Sequence, residues 1–177
     1  MCSSSSRYGA PVRLFHWLTV MLVLVAYSLS SGDGYSLYSA SADGLRRIHE
    51  AIGVLVFGVV VLRLIWRLVG GAPAKQAMPR LMTLTAQLVH FALYVLLIAI
   101  PTTAVLGTWL EGIPVTLPGF DIAPQITQAR ILGHLIMEIH TALGYAILWV
   151  ACVHSAAALF HYFYLRDEVL QSMIPGA

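Results

Sequence analysis

The chain has 177 residues, of which 59% are hydrophobic and only 10% charged. That charged fraction is far below the quarter or so found in soluble domains, and with a mean hydropathy of +0.81 it excludes an ordinary water-soluble fold. The formal charge of +2 comes from arginines and lysines flanking apolar runs, so it is no sign of nucleic-acid binding.

The opening segment, MCSSSSRYG, has no small-residue cleavage site behind a short apolar core, so the first run is expected to remain as a span. Apolar stretches run from about Leu14 to Ser31, His49 to Val69, Ala86 to Leu110 and Ile131 to Tyr164. A span needs about 20 residues, so the length accommodates four with short connections. Backbone at that depth must be helical, because no water is there to satisfy its amides. The expectation is an all-α integral membrane four-helix bundle forming one domain over 1–177. Pro101 should kink or locally unwind the third helix. The fourth run reaches roughly 50 Å at 1.5 Å per residue, so it should protrude on one side.

Basic residues set the expected orientation. Arg7 and Arg13 precede the first span, Arg63, Arg67, Lys75 and Arg80 surround the second connection, and Arg166 follows the fourth span. The other two connections mix signs: Asp33, Asp43, Arg46 and Arg47 in one, Glu111, Asp121 and Arg130 in the other. The positive-inside rule puts both termini and the Lys75 loop in the cytoplasm. The stretches SGDGYSLYSASADG and EGIPVTLPGFDIAPQ become external loops.

Seven histidines then acquire depths. His16 lies near the cytoplasmic start of helix one and His49 near the external start of helix two. On helix four His140 falls in the outer half and His154 in the inner half. These last two are close to four turns apart, hence on nearly one face and about 21 Å apart along the axis. Depth pairs His16 with His154 and His49 with His140. An imidazole in a bilayer calls for a functional partner, and a haem iron takes two axial imidazoles from facing helices of a bundle. Two non-covalent haems b are therefore expected, since no C-x-x-C-H is present. Interhelical hydrogen bonding is the plainer alternative for any one histidine. Zinc is a weaker rival, because each pair supplies only two nitrogens.

Gly53, Gly58 and Gly144 would let a porphyrin or a helix approach closely. Met21 and Met137 read as packing residues. Cys2 and Cys152 have no disulfide mate. His161 lies on the His154 face about 10 Å nearer the cytoplasm; proton donation to a small molecule and a snorkelling interfacial role are both open. His90 reads as an interfacial residue at the start of helix three, with a propionate or quinone contact open. His134 turns away from the His140 face.

The ordered set RLFHW, RRIHEAIGVLVFGVVVLRLIWRL, HFALYVLLIAIPTTAVLG and IHTALGY…VHSAAALFHYFYLRDEVLQSMIP resembles the bacterial cytochromes b561 over nearly the whole length. That resemblance implies two haems b on His16, His49, His140 and His154, in the bacterial inner membrane. It also implies superoxide oxidase activity: electrons pass from external superoxide through two haems to ubiquinone, with no protein partner required. Arg46 and Arg47, just before His49, would then draw in the anion, or serve only as interfacial anchors. His161 would donate a proton to quinone or hydrogen-bond it. Lys75, Arg80 and Arg166 fit lipid phosphate better than a quinone. The rival function is a diheme anchor subunit linking the quinone pool to a separate dehydrogenase or periplasmic redox partner.

Overall fold

Pro11 opens the first helix, where its fixed φ is already helical and its missing N–H is not needed. In the computed structural model, which describes residues 8–30, 43–69 and 78–174, this helix, α1, spans Ala10–Leu29. It is followed by α2 (Asp43–Val69), α3 (Arg80–Leu110), a hairpin of β1 (Val115–Leu117) and β2 (Phe120–Ile122), and α4 (Arg130–Phe160). A π-helical turn (His161–Leu165) and a 3-10 turn (Gln171–Met173) follow. Cys2, Arg7, Lys75 and residues 31–42 of the first external loop lie outside the described residues.

All four apolar runs are helical and long enough to cross a membrane. Each helix begins ahead of its apolar run, because hydropathy marks the lipid-facing turns and not the polar first turn. The fourth is the long one: with its π turn it runs from Arg130 to Leu165. Pro101 does not unwind α3, which continues unbroken to Leu110. Proline withdraws the amide that would bond the Leu97 carbonyl. Nearby hydroxyls add donors to the same stretch: Thr102 bonds the carbonyl of Ile98 and Thr103 that of Ala99.

The protein-facing core is small. Val56 and Val60 of α2, Leu96 and Leu97 of α3 and Ile147 of α4 meet at the middle of the bundle. Large apolar side chains cover the outside, Leu68 and Ile131 being 85% and 92% exposed. In water that surface would be prohibitive; in lipid it is the expected one. Helices α3 and α4 approach closely where both are bare: a Cβ on Gly107 would meet the Met137 sulfur at 2.7 Å, and one on Gly133 the Glu111 amide at 2.8 Å. Close packing therefore uses Gly107 and Gly133. Gly53, Gly58 and Gly144 meet nothing within 4 Å, so they do not serve helix contact.

The two ends of the bundle differ. At one, the stretch read as a plain loop is an antiparallel hairpin, turned by Pro118 and Gly119, whose φ of 95° suits only glycine. Thr116 of β1 is almost fully buried; its amide and hydroxyl both donate to the Glu50 carboxylate of α2. At the other end the chain reverses at Arg166, which is left-handed with φ of 52°. The tail then folds back on α1. The Trp17 indole donates to the Met173 carbonyl at 2.9 Å, and Arg13 to that of Ile174 at 3.3 Å. These are called the hairpin end and the tail end below.

Candidate functional site

Two histidine couples lie at different levels of the bundle. Toward the hairpin end, His49 of α2 and His140 of α4 have ring centres 6.4 Å apart with planes at 87°. Toward the tail end, His16 of α1 and His154 of α4 are 6.3 Å apart with planes at 71°. All four are half-buried, whereas His90 and His134 are exposed. Fourteen residues separate the two couples on α4, about 21 Å along its axis.

These spacings can be tested against a metal. With an imidazole–metal bond of about 2 Å and a nitrogen about 1.1 Å from its ring centre, two rings across one ion have centres roughly 6 Å apart. Both couples meet that condition. Large interplanar angles are no obstacle, because each ring can rotate about its own bond to the metal. Among the described residues no group of three or more His, Cys, Asp or Glu side chains converges as a metal-binding set, which disfavours a four-coordinate zinc site. The donor set suits a macrocycle supplying its own equatorial ligands.

The surroundings of the hairpin-end couple also fit a flat ligand. A cavity of about 400 Å³ opens there, within the range of small-molecule sites. Both histidines, Gly53, Gly144, Pro101 and Met137 line it. A side chain at Gly53 or Gly144 would project into open space, so glycine here keeps the cavity clear. The tautomer is fixed as well. Nδ1 of His49 donates to the Ala26 carbonyl and Nδ1 of His140 to the Ile100 carbonyl, both at 2.9 Å. A carbonyl only accepts, so Nδ1 carries the proton and Nε2 is left with its lone pair.

Over residues 7–176 the chain matches the family model described as prokaryotic cytochrome b561. The chain belongs to this family. It is a multi-pass b-type cytochrome of the bacterial inner membrane, binding haem b and transferring electrons. Cytochrome b561 homolog 2 of Escherichia coli (strain K12) is 28% identical, across 97% of this chain and 93% of that protein. A protein named probable superoxide oxidase CybB, from Yersinia pestis, is 27% identical over 90% of this chain and 91% of its own length. A shorter likeness, 31% over 39% of this chain and 33% of the other, is to the probable Ni/Fe-hydrogenase 1 B-type cytochrome subunit of E. coli K12.

The remaining candidates of this cytochrome b561 fall in distinct places. Arg47 bonds Asp121 on β2 at 2.6 Å and the Leu117 carbonyl at 3.3 Å, so it clasps the hairpin. Arg46 lines the cavity beside His49, with its guanidinium 3.8 Å from Glu50. His134 faces outward, 3.5 Å from Glu138. His161 opens the π turn and is held by Asp167, its Nδ1 donating to the carboxylate at 2.5 Å. The other carboxylate oxygen accepts the Val169 amide.

His90 differs from its sequence reading. It sits ten residues into α3, not at its start, and its ring centre is 5.2 Å from that of His154. The helix starts at Arg80, more than a turn ahead of the apolar run at Ala86 that marks it in the sequence. Asp167 at the tail end and Glu50 and Thr116 at the hairpin end do not stand out in the sequence. Asp167 carries a faint signal, as an acid six residues after His161, while Glu50 and Thr116 join only through the hairpin.

Proposed function

We propose that the protein is a superoxide:quinone oxidoreductase, a single cytochrome b561-like domain with its hairpin end in the periplasm and its tail end in the cytoplasm. Two haems b, one held by His49 with His140 and one by His16 with His154, would supply the one-electron relay between the two faces. The observation that carries this reading is the pair of ring separations, 6.4 and 6.3 Å, at two levels of α4. The orientation follows the basic residues at the tail end.

The balance is simple. Two superoxide anions become two dioxygen molecules, and one quinone gains two electrons and two protons to become quinol. The external step needs no proton, only access and a favourable field. Arg46 at the cavity rim contributes positive potential. Glu50 and Asp121 lie against Arg46 and Arg47 and temper that field. The internal step needs a hydrogen-bonding group at neutral pH beside the tail-end couple. His161 would fill that role: Asp167 accepts from its Nδ1, and the doubly protonated ring then has an Nε2–H to give to a quinone oxygen. The likeness to a probable superoxide oxidase over 91% of that protein's length supports the substrate assignment.

The test is stopped-flow mixing of the purified holoprotein with a superoxide pulse. Rapid haem reduction, followed by reoxidation only when quinone is present, is expected. Haems that superoxide does not reduce at low salt would overturn the assignment.

A second reading, as an electron-carrying subunit, is favoured by two observations. The hairpin end presents an ordered surface with Phe120 60% exposed, where a partner could dock. The likeness to a hydrogenase cytochrome subunit over 77 residues points the same way. Haem reduction by a separate dehydrogenase, and not by superoxide, would select it.

A further inference from the structure

Two arginines interrupt the apolar run of α2. Arg63 and Arg67 are one turn apart, and both guanidiniums lie over one ring of α3, at 5.4 and 5.9 Å from the centre of Tyr94. Arg63 is within electrostatic reach of His16, His90 and His154, and Arg67 within reach of His90. Among the described residues, neither arginine belongs to an ion pair. A cation inside a span costs several kcal/mol unless it is matched. Stacking on Tyr94 offsets only part of that. Two positive charges therefore stand beside the tail-end couple, and among the described residues no acid pairs with them.

We propose that Arg63, with Arg67 and His90, forms a carboxylate cradle for the propionates of the haem b held between His16 and His154. This rests on the reading of that couple given above. Haem b carries two propionates on one edge, so two arginines balance its charge. A guanidinium fork matches a carboxylate with two parallel hydrogen bonds. Placement agrees as well. Arg63 follows His49 by fourteen residues on α2, as His154 follows His140 on α4, which brings Arg63 to the level of the tail-end couple. His90 lies 5.2 Å from His154, too close to sit across an iron from it, so it acts from the side as a further donor. Lipid phosphate is the rival anion. Half-buried Arg63 lies one turn deeper than exposed Arg67, so Arg63 separates the cradle from lipid most cleanly.

The test uses the holoprotein and its Arg63→Gln, Arg63→Lys and Arg67→Gln variants, reading haem transfer to excess apomyoglobin and the midpoint potential of each haem. In Arg63→Gln the tail-end haem should leave about tenfold faster, the effect of one lost charge-assisted pair. Its midpoint should fall, because a nearby cation favours the more negative reduced form, while the hairpin-end haem is unchanged. Arg63→Lys should recover the midpoint but not the full retention. Release and midpoint equal to wild type in Arg63→Gln would overturn the cradle and leave lipid phosphate as the partner. If Arg63→Gln does not fold, Arg67→Gln carries the same test at about threefold. His154→Ala separates the two ideas. Loss of one haem there with an unresponsive Arg63→Gln overturns the cradle alone, whereas two haems retained in His154→Ala overturn the couple and the cradle together.

Discussion

The two histidine couples have nearly the same ring spacing and opposite surroundings. His49 and His140 each spend Nδ1 on a backbone carbonyl, from Ala26 and Ile100, and line a cavity edged with glycine. Among the described residues no hydrogen bond holds the imidazole of His16 or His154; Trp17, His90 and Arg63 surround them instead. The hairpin-end couple is positioned by the fold itself, and a hairpin locked to α2 through Glu50 covers it. The tail-end couple has imidazole and cationic neighbours in place of those backbone anchors. Backbone carbonyls fix the imidazoles at one end, whereas charged and aromatic side chains surround those at the other.

The largest effects should come from breaking either couple. His154→Ala is expected to leave one haem per chain and abolish quinone-linked turnover, and His140→Ala to leave the other haem and abolish reduction by superoxide. Pyridine haemochrome stoichiometry with single-turnover kinetics checks both. A smaller, one-sided loss should follow at the tail end. His161→Ala should keep both haems and slow quinone turnover about a hundredfold. Unchanged turnover would remove the role given to it. Arg46→Gln at the hairpin end should lower the second-order rate with superoxide about threefold and flatten its salt dependence. The smallest change is expected from Asp121→Asn, which breaks an exposed ion pair worth under about 1 kcal/mol. Thermal unfolding should shift little and both haem spectra should stay as they are.

Much of this was legible in the sequence because membrane physics leaves few choices. An apolar run of sufficient length has to be a helix, and depth along four antiparallel helices pairs His16 with His154 and His49 with His140. What escaped depends on contacts that no periodicity encodes. The hairpin at Val115–Ile122 looks like a plain external loop in the sequence, although Pro118 and Gly119 carry the turn signal. Its clasp on Glu50 and Arg47 joins residues about 70 positions apart. His90 falls deeper in α3 than hydropathy implies, because helix starts are invisible to it, and Arg63, a basic residue late in a span, reads in the sequence only as a topology marker. Asp167 meets His161 through a π turn and a left-handed Arg166, neither of which the sequence announces.

Haem content is the most direct measurement. Purified protein, quantified by amino-acid analysis and by its reduced-minus-oxidised b-type spectrum, should carry two haems per chain with two resolvable midpoints. A single haem, or stable folded protein with none, would contradict an account in which each couple on α4 grips its own iron.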